Sequence, residues 1–138
     1  MRRAWGSITG MALAVSALTG PTAAADIEAG HATFLRYCAS CHGEAGDGRG
    51  PMRPVLIVKP KNLTELARQN GGVFPLKRVI ARIDGRNPLI SHGSEMPVYG
   101  DFFREGGRAE LRAQDGGRIV TSGAVADLVA WLRTIQHD

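Results

Sequence analysis

The sequence predicts an all-α domain of three to five short helices joined by long loops and wrapped around one large prosthetic group. Three observations carry that expectation. Apolar residues recur at helical spacing over two segments, about Ile27 to Cys38 and Ala124 to Gln136, while no alternating run argues convincingly for a sheet. Glycine accounts for 18 of the 138 residues, proline for 7 and aromatics for only 6%. A chain this loop-rich and this poor in bulky side chains needs a staple to complete its core. The run Cys38-Ala39-Ser40-Cys41-His42 offers the place to attach one.

Residues 1–25 read as a secretory signal rather than as part of the fold. Arg2 and Arg3 form a positive start, Ile8 to Leu18 is uncharged and apolar, and Ala23-Ala24-Ala25 supplies a small-residue cleavage site. The apolar run is short of the roughly 20 residues that span a bilayer, so stable membrane insertion is not expected. The domain is then 26–138, and the expected compartment is the periplasm. Cleavage takes Arg2 and Arg3 with it, and the net charge of +4 falls by those two charges to +2. With so small a charge on an exported chain, a nucleic-acid partner is not expected. The length excludes a β/α barrel and makes one domain the default.

Along that domain the elements follow in order. Asp26 is a suitable N-cap for a first helix of about Ile27 to Cys38, on which Ile27, Gly30 or His31, Phe34, Leu35 and Cys38 share a face. Gly30 permits a close helix approach there, with Phe34 and Trp131 as fillers. Thr64 to Gln69 reads as a short helix capped by Thr64 and ended by Asn70-Gly71-Gly72. Leu76 to Ile83 reads as a middle helix closed by Asp84-Gly85. Ser122 or Thr121 caps the last helix, whose stripe is Val125, Leu128, Val129, Leu132 and Ile135.

The cysteine pair admits several chemistries. Export permits a Cys38–Cys41 disulfide, a redox-active dithiol would not need His42, and zinc would need further ligands at spacings the chain lacks. The histidine directly after the second cysteine instead matches the attachment signature of a c-type haem. Two thiols on one helical turn can each form a thioether with a vinyl group, and the imidazole that follows can bind the iron. For the sixth iron position the candidates are Met52, Met96, His31, His92, His137 or water. Met52 follows His42 too closely to cross to the opposite haem face. Met96 lies far enough downstream for the chain to wrap the haem edge. It stands in Ser94-Glu95-Met96-Pro97-Val98-Tyr99-Gly100, a loop stiffened by proline. Met96 is therefore the preferred ligand, His92 its competitor, and His31 and His137 read as surface residues.

In these features the chain resembles a class I cytochrome c. The resemblance rests on Gly30 and Phe34, on Cys38-Ala39-Ser40-Cys41-His42, on Gly50-Pro51, on Met96-Pro97 and on Asp127-Leu128-Val129-Ala130-Trp131-Leu132. The segments Lys59–Gly72 and Gly106–Gly117 depart from the pattern, the second as an insertion. The resemblance implies a small haem-wrapped helical fold of bacterial type, with one covalent haem c on Cys38 and Cys41 and iron held by His42 and Met96. It also implies that the Pro51 carbonyl holds the second ring nitrogen of His42. Arg49, Arg53, Arg82, Arg86 and Tyr99 are candidate donors to the haem propionates. The expected function is that of a monomeric, non-enzymatic periplasmic carrier of single electrons. Its partners would be a quinol–cytochrome c oxidoreductase, a terminal oxidase or a periplasmic dehydrogenase. The alternatives are a subunit of a larger periplasmic oxidoreductase and a gas-binding or peroxidase-type haem protein with an open sixth position.

Overall fold

The computed structural model describes residues 24–86, 96, 97, 99, 103 and 107–137. The expected signal peptide (save its last two residues) and His92 lie outside them. Among these residues four helices and one hairpin follow in the order α1 (Ile27–Tyr37), α2 (Ala39–His42), α3 (Leu76–Asp84), β1 (Arg108–Arg112), β2 (Arg118–Ser122) and α4 (Gly123–Thr134). Three single turns of 3-10 helix (Arg53–Val55, Leu63–Glu65 and Arg68–Asn70) punctuate the long α2–α3 connection. Among the described residues no helix is long and apolar enough to cross a membrane.

The α1–α4 pair is the frame. Asp26 caps α1 by accepting from the Ala29 amide, and Ser122 caps α4 by accepting from the Val125 amide. Both side chains thereby satisfy amides that the first helical turn leaves without partners. The helices cross at Gly30, where a Cβ would lie only 2.0 Å from the Asp127 carbonyl oxygen. Asp127 closes the crossing a second time, because its Oδ1 accepts from the Asp26 amide at 2.8 Å. Phe34 and Trp131 fill the space beside the crossing, their ring centroids 4.3 Å apart. His31 is half-buried rather than on the surface, stacked on Trp131 at 4.9 Å. Val125, Leu128, Val129 and Leu132 from α4 complete a core that Leu76, Ile80 and Ile83 of α3 enter from the side.

The middle helix ends as expected on Gly85, which takes a left-handed φ of 73°. The Thr64–Gln69 helix does not form. In its place Asn62, not Thr64, caps the turn Leu63–Glu65, and a second turn stops at Gly71 with φ 70°. This stretch is held from outside. The Gln136 amide donates to the Leu63 and Leu132 carbonyls and its oxygen accepts from the Ala67 amide. The His137 amide donates to the Thr64 carbonyl at 2.8 Å. His137 is exposed, as expected of a surface residue, with its backbone fastened to this stretch.

The hairpin corrects the expectation of an all-α fold, leaving one that is mostly helical. β1 and β2 pair antiparallel from Arg108↔Ser122 to Arg112↔Arg118. Alternate residues turn inward, Leu111 and Ile119 packing on the core and Thr121 lying buried, so the segment read as an insertion covers one side of it. Its tip turns through Gly116, and Arg86 beyond the end of α3 donates to the Val120 carbonyl.

Candidate haem site

The attachment motif sits at the joint between two helices. Cys38 ends α1, donating its amide to the Phe34 carbonyl, and is at once the N-cap of α2. Cys41 and His42 then lie on the single turn of α2. Both cysteines are free thiols, Cys38 buried and Cys41 half-buried, so the disulfide alternative is not the arrangement seen. Burial, with the Cys41 charge adding to it, pushes the Cys38 thiol up to about 11. Cys38 therefore stays protonated at neutral pH.

The chain beyond α2 folds back onto the motif. The Met52 amide donates to the Ser40 carbonyl at 2.9 Å and the Gly50 amide to the Cys41 carbonyl at 3.2 Å. Gly50 presses so closely that a Cβ would lie 2.5 Å from the Ser40 oxygen and the Cys41 carbonyl carbon. Gly48, with φ 80°, makes a similar approach to the Pro60 carbonyl. These two contacts bring the 60–62 stretch beside His42.

There the His42 Nδ1 lies 3.0 Å from the Lys61 carbonyl oxygen. A carbonyl can only accept, so Nδ1 carries the proton and Nε2 is the ring nitrogen left to bind a metal. The expected partner was the Pro51 carbonyl; Lys61 takes that role because the loop from Gly48 to Asn62 returns past the ring. Burial lowers the pKa of His42, and the Lys61 bond opposes that only in part. The imidazole is therefore biased to the neutral form that ligates metal.

The second expected ligand comes from another part of the chain. Met96 is half-buried against the same core cluster that contains Cys38 and Ala39. The segment after it is tied down twice, by the Tyr99 amide on the Ile83 carbonyl at 2.8 Å and by the Tyr99 hydroxyl on the Tyr37 carbonyl at 3.1 Å. The pKa of Tyr99 is raised, by burial first and then by the charges of Cys38 and Cys41. Tyr37, Tyr99 and Phe103 gather into one aromatic wall, with Tyr99 and Phe103 at 5.3 Å and Tyr37 and Phe103 at 5.5 Å.

The other expected residues divide. Met52, expected to be a packing residue, is instead exposed, on the loop returned to α2. Arg86 forms an ion pair with Asp84 at 2.6 Å besides its bond to Val120, and the Tyr99 hydroxyl donates to the Tyr37 carbonyl. Arg49 is exposed beside Asp47 at 3.6 Å, Arg53 is exposed and Arg82 half-buried. Sequence reasoning missed Lys61, whose contribution is a backbone carbonyl and leaves no mark in residue identity.

The residues fit a haem. Two unbridged thiols and an imidazole with one nitrogen already fixed form the donor set. Met52, Val55, Ile57 and Val58 follow the motif with apolar side chains turned to solvent, Ile57 98% exposed. Four such residues in one stretch are an apolar surface that a large flat group could cover. Among the described residues no group of three or more His, Cys, Asp and Glu gathers to hold a bare metal ion.

Comparison with known proteins agrees with this geometry. The family model for Cytochrome c matches residues 27–136, from the first residue of α1 to the Gln136 tether. No curated protein and no solved structure matches the chain. The match takes in the attachment motif, the returning loop and the α1–α4 frame together, and the chain belongs to the cytochrome c family, whose members carry covalently attached haem c with its iron and transfer electrons.

Proposed function

We propose that the protein is an exported class I cytochrome c of bacterial type, working in the periplasm as a carrier of single electrons without catalysing a reaction of its own. The observation that carries the reading is His42, neutral and oriented, with Nδ1 donating to Lys61 and Nε2 left for iron on the turn that bears both thiols. When bound, the haem supplies the Fe2+/Fe3+ couple. The chain's own residues do the rest. Cys38 and Cys41 would hold the group covalently, and His42 would ligate its iron through Nε2. Met96 is proposed as the second axial ligand, a sulfur donor that raises the reduction potential. Support for it is its packing on the core cluster that includes Cys38 and the double tether at Tyr99. With both axial positions filled, oxygen or peroxide has no place to bind. The partners would be proteins that deliver or accept one electron at an exposed haem edge through small, salt-sensitive contacts.

Visible spectra of both redox states, with a pyridine haemochrome assay, test this directly. The expected result is a c-type haemochrome at one haem per chain and a low-spin oxidised spectrum bearing the methionine–iron charge-transfer band. A high-spin oxidised spectrum without that band, together with ready binding of carbon monoxide, would overturn the His/Met reading. On a size-exclusion column the native protein is expected to run as a monomer; co-migration with a large enzyme would replace the shuttle by a complex subunit.

A further inference from the structure

A cavity of about 810 Å3 opens between the end of α4, the hairpin tip and the 67–74 loop, and no residue of the attachment motif or the returning loop lines it. Its lining includes three arginines, Arg68, Arg112 and Arg133, and no acidic residue among the described ones. Arg68 is partly neutralised by Glu65 at 2.8 Å. Arg133 lies over the Phe74 ring at 5.5 Å, which orients the cation without cancelling its charge. Arg112 is left without a carboxylate partner among the described residues. It stands directly opposite Arg118 in the strand ladder on the exposed face, and Arg118 leans to Glu110 at 3.4 Å. Like charges placed directly across a ladder destabilise it. Asp115 at the hairpin tip does not relieve this, being bound to Lys77 at 2.6 Å. On the opposite wall a Cβ on Gly71 or Gly72 would meet nothing within 4 Å, so a backbone can approach closely there.

We infer that this cleft receives an acidic segment of a protein partner, whose carboxylates engage Arg112 and Arg133 with Arg68 at the rim. The charge is complementary, and guanidiniums suit carboxylates because both are planar and bond in pairs. The volume falls in the range that accommodates an extended ligand, whereas one small oxyanion would leave it mostly empty. The inference stands on the cleft alone and does not depend on how the iron is ligated.

The test is a titration of the haem-loaded, 15N-labelled protein with a hexaglutamate peptide, read by amide shifts and by anisotropy of a labelled copy. Binding is expected to saturate at one site, to weaken with added salt, and to shift amides within 67–74, 112–114 and 133–137. The double variant Arg112→Gln with Arg133→Gln should bind about tenfold more weakly. Arg108→Gln, on the same strand face but outside the cleft, should change affinity less than twofold. The double variant should unfold at the same urea concentration as the parent, the relieved Arg112–Arg118 opposition offsetting the lost Arg133–Phe74 contact, so its loss of binding would not reflect a damaged fold. Shifts gathered elsewhere, or equal losses in both variants, overturn the proposal. So does saturation of the same amides by inorganic phosphate at matching concentration, or binding only to phosphatidylglycerol vesicles.

Discussion

Replacing Gly30 by alanine sets two effects of opposite sign against each other. In a helix interior, alanine is favoured over glycine by about 1 kcal/mol, so local propensity alone predicts a stabilised protein. The crossing predicts the reverse. The added Cβ would lie 2.0 Å from the Asp127 oxygen, 2.4 Å from its carbonyl carbon and 2.9 Å from the Leu128 nitrogen. All three are backbone atoms, so no side chain can swing aside. Ordinary contact begins at 3.4 Å, so the oxygen would have to retreat by well over an ångström. A gap of about 1 Å already forfeits up to half of each dispersion contact across an interface, and Phe34, Leu128 and Trp131 line this one. Overpacking of this kind costs about 3 kcal/mol, which leaves a net loss of about 2 kcal/mol after the propensity gain. For a domain of this size that lowers the melting temperature by about 8 °C. Urea unfolding of the oxidised haem protein, followed by far-ultraviolet circular dichroism, measures it. Ala32→Gly, at an exposed site on the same helix, serves as the control and should lose about 1 kcal/mol from propensity alone. A Gly30→Ala protein as stable as the parent, or more so, would refute the close crossing.

Three further outcomes are expected. Met96→Ala should abolish the methionine–iron band and lower the potential by a sizeable part of the roughly 0.8 V that axial ligands span, while Met52→Ala should leave both unchanged; optical redox titration distinguishes them. Pro51→Ala should move the potential by less than about 30 mV (half of a tenfold change in the one-electron equilibrium), because the Nδ1 bond goes to Lys61. A nuclear Overhauser contact from the His42 ring N–H to the Lys61 region, rather than to Pro51, checks the partner. The Asp115 carboxyl is held below its ordinary 3.8, first by the Lys77 bond and then by the Gly117 amide. Its support of the hairpin tip is therefore present above its ordinary value and fades as pH falls through the lowered one. The Gly117 amide shift should follow that titration in the parent and stay flat in Asp115→Asn.

The family was the most legible part of the sequence, because Cys38-Ala39-Ser40-Cys41-His42 is a motif of reactive residues at fixed spacing. The α1–α4 frame was nearly as clear. Asp26, Ser122, Gly30, Phe34 and Trp131 act through their own side chains, or through the lack of one, and residue identity records that. The hairpin was missed although its signal was present. Ala109 and Leu111 alternate with charged residues, Ile119 and Thr121 take the inward positions of β2 although apolar Val120 between them blurs the alternation, and Asp115-Gly116-Gly117 marks the turn. The charged side chains of Arg108, Glu110, Arg112 and Arg118 on the outer face made the segment look like a solvated loop. The 63–70 turns were read as one helix because the bonds that break it come from Gln136 and His137, at the far end of the chain. Lys61 was beyond reach for a different reason: any residue brings a carbonyl to that place.

That last point bears on how the protein can change over time. The group that orients His42 is part of the main chain, so no single replacement of a side chain deletes it. Position 61 is free to drift among residue types while the proton on Nδ1 stays where it is. Adjustment of the basicity of His42 has instead to come through the path of the backbone, which Gly48 and Gly50 hold in place by their close approaches to Pro60, Ser40 and Cys41. Variation that tunes this protein is therefore expected to collect at those glycines and in the length of the loop between them and Asn62, not at the residue that makes the bond.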